Sequence, residues 1–159
     1  MSEPTQLEIE ITYSKTFAEA LRSGDFYAET PLSIVSEEGP LRTPTGDRFE
    51  VCEVVVTLLP RLLRASVEVV AGEQVALEFH ATSVALAFDP GSEDVTIRAH
   101  LGSEVGPAPH TSPGALHAGC LVAATELLEF VESVEPALQQ TEPVARLEDT
   151  LDSVRSSAE

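Results

Sequence analysis

The chain has no tryptophan, a single methionine, two cysteines and, among its nine cationic side chains, one lysine, Lys15. Two thiols, Cys52 and Cys120, cannot make the disulfide scaffold of a small secreted domain, and 159 residues can bury a core without one. Long hydrophobic runs are missing as well. Glu, Arg or Pro interrupts each apolar stretch before the roughly eighteen residues that a spanning helix needs, so no transmembrane segment is expected. The start, Met1-Ser2-Glu3-Pro4, has no basic region, apolar stretch or cleavage site, which makes the cytoplasm the expected location. No Gly-rich phosphate loop, Gly-x-Ser-x-Gly elbow, His-Glu-x-x-His or Cys-x-x-Cys occurs, so no standard catalytic signature is present and no cofactor is expected.

Negative charge is what the chain has in excess. There are 27 Asp and Glu against 9 Lys and Arg, a formal net charge of −18. Such a field repels phosphate backbones and anionic bilayers, so neither nucleic acid nor membrane is an expected partner. A basic protein is attracted by the same field. The lysine-poor, acidic composition also resembles that of halophile proteins, in which dispersed carboxylates keep the chain soluble, although Glu far exceeds Asp here.

The apolar pattern predicts an α+β fold. The expectation is a small antiparallel sheet, made of an N-terminal strand and a three-stranded meander, packed against a long central helix and C-terminal helices. Leu7, Ile9, Ile11 and Tyr13 alternate with polar residues as in a half-buried strand. Thr16 and Glu19 have the spacing of a capping box for a short helix that Gly24 would end, and Thr30 to Val35 reads as a second strand. Asp47 and Glu50 then suit the start of the central helix, along which Glu50, Glu53, Thr57, Arg61, Arg64 and Glu68 form one narrow polar stripe. Pro60 should kink or divide that helix. Both cysteines fall on predicted apolar helix faces.

After Gly72, three alternating runs (Val75 to Phe79, Val84 to Phe88, Val95 to Leu101) make the meander, with Asp89-Pro90-Gly91-Ser92 as turn chemistry. Ser112-Pro113 marks the start of a helix running to about Glu135. Beyond Pro136 and Pro143, Val144, Leu147, Leu151 and Val154 give a last amphipathic helix. A single domain over 1–159 is expected, with 102–112 an exposed loop and 137–159 the C-terminal amphipathic helix and short tail.

Three groups of residues merit attention as sites. Glu126, Glu129 and Glu132 repeat along the penultimate helix, and Glu148, Asp149 and Asp152 along the last, which makes them the expected partner-binding carboxylates; a plain solvated helix face has the same pattern. His80 and His100 lie on neighbouring strands near Glu78 and Arg98, and a histidine among carboxylates can serve as a general base, so these two are the alternative catalytic residues. His117 and Cys120, one helical turn apart, with His110 upstream, are a partial metal-ligand set without standard spacing, and no metal is assigned.

The function this composition favours is a non-enzymatic acidic binding protein that engages a protein partner, a basic one fitting best, in the manner of an inhibitor, an immunity protein or an adaptor. The alternatives are a small enzyme using the histidines and a self-associating structural subunit from a saline cytoplasm.

Overall fold

The computed structural model describes residues 7–79, 84–101, 104–105 and 109–157. Strand β1 (Leu7–Ile11) keeps the expected alternation, with Leu7 and Ile9 in the core and Glu8 and Glu10 in solvent. Helix α1 (Lys15–Arg22) is capped by Ser14, whose Oγ accepts the Phe17 N–H at 3.1 Å. Thr16 and Glu19, expected as the capping box, lie inside the helix because Ser14 supplies a cap two residues earlier. Gly24, at φ 89°, closes it, and the Asp25 N–H reaches back to the Ala20 carbonyl at 2.9 Å.

Strand β2 (Thr30–Ser36) is the centre of the first sheet. It pairs antiparallel with β1 on one edge and with β3 (Gly39–Pro40) and β4 (Glu50–Glu53) on the other. Strand β4 occupies the stretch expected to begin the central helix. The three-residue spacing of Glu50 and Glu53 suits a helix, but Leu32 and Ser33 of β2 offer an open edge, and Val51 and Glu50 pair with them in register. Cross-strand pairing overrides the local pattern. Cys52 is therefore exposed on a strand, not set in an apolar helix face, and Glu53 is buried.

Helix α2 (Val55–Val70) follows directly and is the central helix of the fold. Val55, Val56, Leu58, Leu59, Leu62, Leu63, Ala65 and Val69 are buried, while Arg64 and Glu68 stand in solvent. Pro60 is buried inside a continuous helix and does not divide it. It lies in the second turn, where the lost hydrogen bond is a single one. Val70, the last residue of the helix, is exposed.

The second sheet is the meander, β5 (Val75–Glu78), β6 (Val84–Pro90) and β7 (Val95–Leu101), all antiparallel. Two short strands, β8 (Glu104–Val105) and β9 (His110–Thr111), join β7 from within the stretch read as an exposed loop, and Thr111 is buried. The fold is α+β around a long central helix, with its strands shared between two small sheets. The N-terminal strand pairs with β2 and leaves the meander on its own. Phe49 and Phe79 join the two sheets, their rings 6.0 Å apart and edge to face.

Helix α3 (Pro113–Val134) starts at Ser112, whose Oγ accepts the Ala115 N–H at 3.0 Å, with Pro113 in the first turn as expected. A 3-10 turn (Pro136–Gln140) leads into α4 (Glu142–Ser157). Helix α2 packs on α3, on α4 and on the β5–β6 hairpin, and α3 also packs on β1. Val144, Leu147, Leu151 and Val154 of α4 are all buried. By length and mean hydropathy (1.4) α3 would pass for a membrane span, contrary to the expectation from interrupted runs, but the core helix of a folded domain passes the same test.

Candidate binding surface

The six carboxylates singled out from the sequence, Glu126, Glu129, Glu132, Glu148, Asp149 and Asp152, are all exposed. The fold gathers four of them. Helices α3 and α4 lie side by side, and Glu129, Glu132, Glu148 and Asp152 border a groove of about 200 Å³ between them. One cation, Arg155, stands in this groove and donates to Thr125 Oγ1 at 2.8 Å. Glu126 faces the other side of α3, toward β1. Among the described residues, no three of His, Cys, Asp and Glu are grouped so as to hold a metal ion, so the acidic groove is not a preformed cation cage.

The other flank of α3 forms a larger groove, about 660 Å³, that sequence reasoning missed. One wall is the outer edge of β1. Thr12 N–H donates to the Pro31 carbonyl, in step with the β1–β2 register, so the N–H and C=O groups of Leu7, Ile9 and Ile11 point away from β2 and into this groove. The opposite wall is α3, with Ala118 and Val122, the latter 55% exposed. Glu8, Glu10 and Glu126 stand on the rim.

Two features hold α3 against β1. Gly119 brings the helix so close to β1 that an added Cβ would lie 2.6 Å from the Leu7 carbonyl oxygen. Farther along, the Phe130 ring packs on Tyr13 (centroids 4.6 Å apart) and stacks on Phe17 (5.7 Å). Burial, reinforced by Glu126 and Glu129, drives the Tyr13 phenol well above its ordinary value, and its hydroxyl has no hydrogen-bond partner among the described residues. The small residues Ala115, Gly119 and Ala123 are legible in the sequence as a close-packing signal. The groove they leave is not, because its second wall comes from a strand a hundred residues away in sequence.

Among the described residues, the histidines do not assemble into a reactive centre. Glu78, Arg98 and His100 do share the outer face of the second sheet, as the alternation implied, but Ala85 of β6 separates Glu78 from His100 in the register. Two strand spacings, roughly 10 Å, keep that pair out of hydrogen-bonding reach. Arg98 is engaged by Asp89 across the strand pair, and Asp89 also accepts from Gln74. His80 lies outside the described residues.

His110 turns toward Glu38, with its backbone N–H donating to Oε1 at 3.0 Å, and so does not join His117 and Cys120. His117 and Cys120 instead flank Ser66 of α2. The Ser66 hydroxyl donates its only proton to the Leu63 carbonyl at 2.7 Å, so it accepts from His117 Nδ1, 3.2 Å away. Burial pushes the Cys120 thiol up to about 12, with the Ser66 hydrogen bond opposing the shift. A thiol held neutral in this way is an inert core group and not a nucleophile.

No protein-family model, curated protein or solved structure matches this chain.

Proposed function

We propose that the protein is a non-enzymatic binding module for a basic protein partner, engaged through the exposed ridge of α3 and the two grooves that flank it. The observation that carries this reading is the position of Val122. It is more than half exposed in the groove against β1, one helical turn from Glu126, and Glu129 follows on the next turn.

Productive interfaces combine an apolar anchor that is desolvated on contact with charged surroundings that steer approach and exclude the wrong partner. Here the groove supplies the anchor and the carboxylates of α3 and α4 supply the field. The outward N–H and C=O groups of Ile9 and Ile11 add a means of gripping an extended segment along β1, the mode by which a peptide extends a sheet. Basic side chains on that segment would meet Glu8 and Glu126 at the rim.

The test compares three immobilised proteins, the parent, Val122→Asp and the double variant Glu126→Lys/Glu129→Lys, in capture from an extract of the native host at low and high salt. The reading requires a basic protein retained by the parent, weakened by salt, and lost with either variant. If every captured protein is retained equally by all three, the α3 surface is not the binding site.

A further inference from the structure

Three of the chain's nine cationic side chains, Arg61, Arg64 and Arg146, line a single pocket of about 510 Å³ between α2 and the first turn of α4. In a chain of net charge −18 this is a local reversal of sign, since Glu142 is the one acidic residue in the lining. The pocket also contains Tyr27, which is 73% exposed, the highest exposure of any large hydrophobic side chain among the described residues.

We infer that this pocket binds a small organic oxyanion, a carboxylate or phosphate monoester on a flat apolar body. Arg64 is the free donor. It is exposed and makes no hydrogen bond or ion pair among the described residues, so its planar guanidinium is available for a two-point contact with an oxyanion. Arg146 pairs with Glu142 at 2.9 Å on the helix surface, a solvent-screened contact that a ligand oxyanion can replace or share. Arg61 donates to the Glu78 carbonyl at 2.6 Å, which fixes its side chain across the pocket. Tyr27, Phe26 and Pro60 line the same pocket as these cations and give it the apolar part that a flat ligand body would cover.

Charge also limits the size of the ligand. A polyanion such as nucleic acid would meet the summed repulsion of the whole surface, whereas a ligand with one or two charges feels mainly the groups within a screening length, about 10 Å at moderate salt. Among the residues that line the pocket the arginines outnumber the acid three to one. The site therefore selects small anions over large ones. It shares no lining residue with the α3 grooves, so it stands or falls independently of the proposed partner surface.

The experiment titrates the full chain with phenyl phosphate, benzoate and inorganic phosphate, read by calorimetry and by amide shifts in NMR spectra. Arg64→Gln and Tyr27→Ala are the variants, both at exposed positions whose replacement leaves the core intact. Saturable binding of phenyl phosphate or benzoate is expected, tighter than that of inorganic phosphate, with shifts at residues 26–27, 60–64 and 142–146. Arg64→Gln should weaken it on the order of tenfold, the worth of one charge-assisted contact, and Tyr27→Ala should reduce the advantage over inorganic phosphate. The stronger of the two aromatic anions then identifies the acid group. No saturable binding at millimolar ligand, or binding that both variants leave unchanged, overturns the assignment.

Discussion

Gly119 gives a sharp test of the packing that creates the large groove. In the middle of a helix, replacing Gly by Ala stabilises by about 1 kcal/mol from propensity alone. At this position the new Cβ would lie 2.6 Å from the Leu7 oxygen and 3.3 Å from its carbonyl carbon. An ordinary carbon–oxygen contact is about 3.3 Å, so α3 and β1 would have to separate by roughly 0.7 Å, and overpacking of this kind costs about 1 to 3 kcal/mol. The clash outweighs the propensity gain, and Gly119→Ala should destabilise by about 1 kcal/mol.

Gly114 is the internal control. It lies in the first turn of the same helix with nothing within 4 Å of an added Cβ, so Gly114→Ala should be neutral or stabilise by up to about 1 kcal/mol. The two variants should differ by about 1 to 2 kcal/mol, which for a chain of this size separates their melting temperatures by roughly 2 to 8 °C. Urea unfolding followed by circular dichroism, with unchanged m-values, measures the gap. If Gly119→Ala proves as stable as Gly114→Ala, the close approach of α3 to β1 is wrong, and so is the shape of the groove beside it.

Cys52 is exposed and Cys120 buried, so a disulfide reagent should modify one thiol per native chain and two after denaturation; two rapid reactions in the native protein would place Cys120 outside the core. Folding holds both the Cys120 thiol and the Tyr13 phenol above their ordinary values of 9.0 and 10.0, so each neutral group contributes stability in full below that value and loses it as pH rises toward the folded one. Stability should therefore decline from pH 9.0 through about 12, and Cys120→Ala should flatten the first part of that decline in alkaline unfolding titrations. If self-repulsion among the excess carboxylates limits stability, melting temperature should climb as salt screens them, and a flat salt series would show that the charge acts locally.

The features legible in the sequence were those whose pattern is local. The alternation of Leu7 to Ile11, the Ser112-Pro113 start of α3 and the stripe of Val144, Leu147, Leu151 and Val154 each reappear in the structure because one buried face dictates one period. What failed was decided by tertiary pairing. Glu50 to Glu53 carries a spacing that fits either a helix or an edge strand, and only the open side of β2 settles it. The acidic faces of α3 and α4 could be seen from their periodicity, but not that Glu129, Glu132, Glu148 and Asp152 meet across one groove. Arg61 and Arg64 showed only as members of a polar helix stripe and Arg146 gave no signal, because what joins it to them is the packing of α4 on α2.

The packing of α4 decides whether this helix serves the domain core, a second copy or a partner. Helix α4, 16 residues long, draws most of its stability from the packing of its apolar face. Its four apolar side chains are at most 5% exposed, and Arg155 near its end reaches Thr125 of α3. Burying four Val and Leu side chains is worth roughly 6 to 12 kcal/mol before entropy, against about 5 to 15 kcal/mol for the net stability of a whole domain. Helix α4 is thus part of the core, and ending the chain after Glu142 should abolish cooperative melting altogether. A single substitution keeps the test within a folded protein. Leu147→Ala should cost about 2 to 5 kcal/mol, whereas Asp149→Ala on the solvent side should change stability by less than about 0.5 kcal/mol. Light scattering should report the same mass for the parent and both variants, because the stripe is covered by the chain's own helices. A truncated chain that melts like the parent, or a Leu147→Ala variant that changes mass and not stability, would move α4 out of the core and make its apolar stripe an interface.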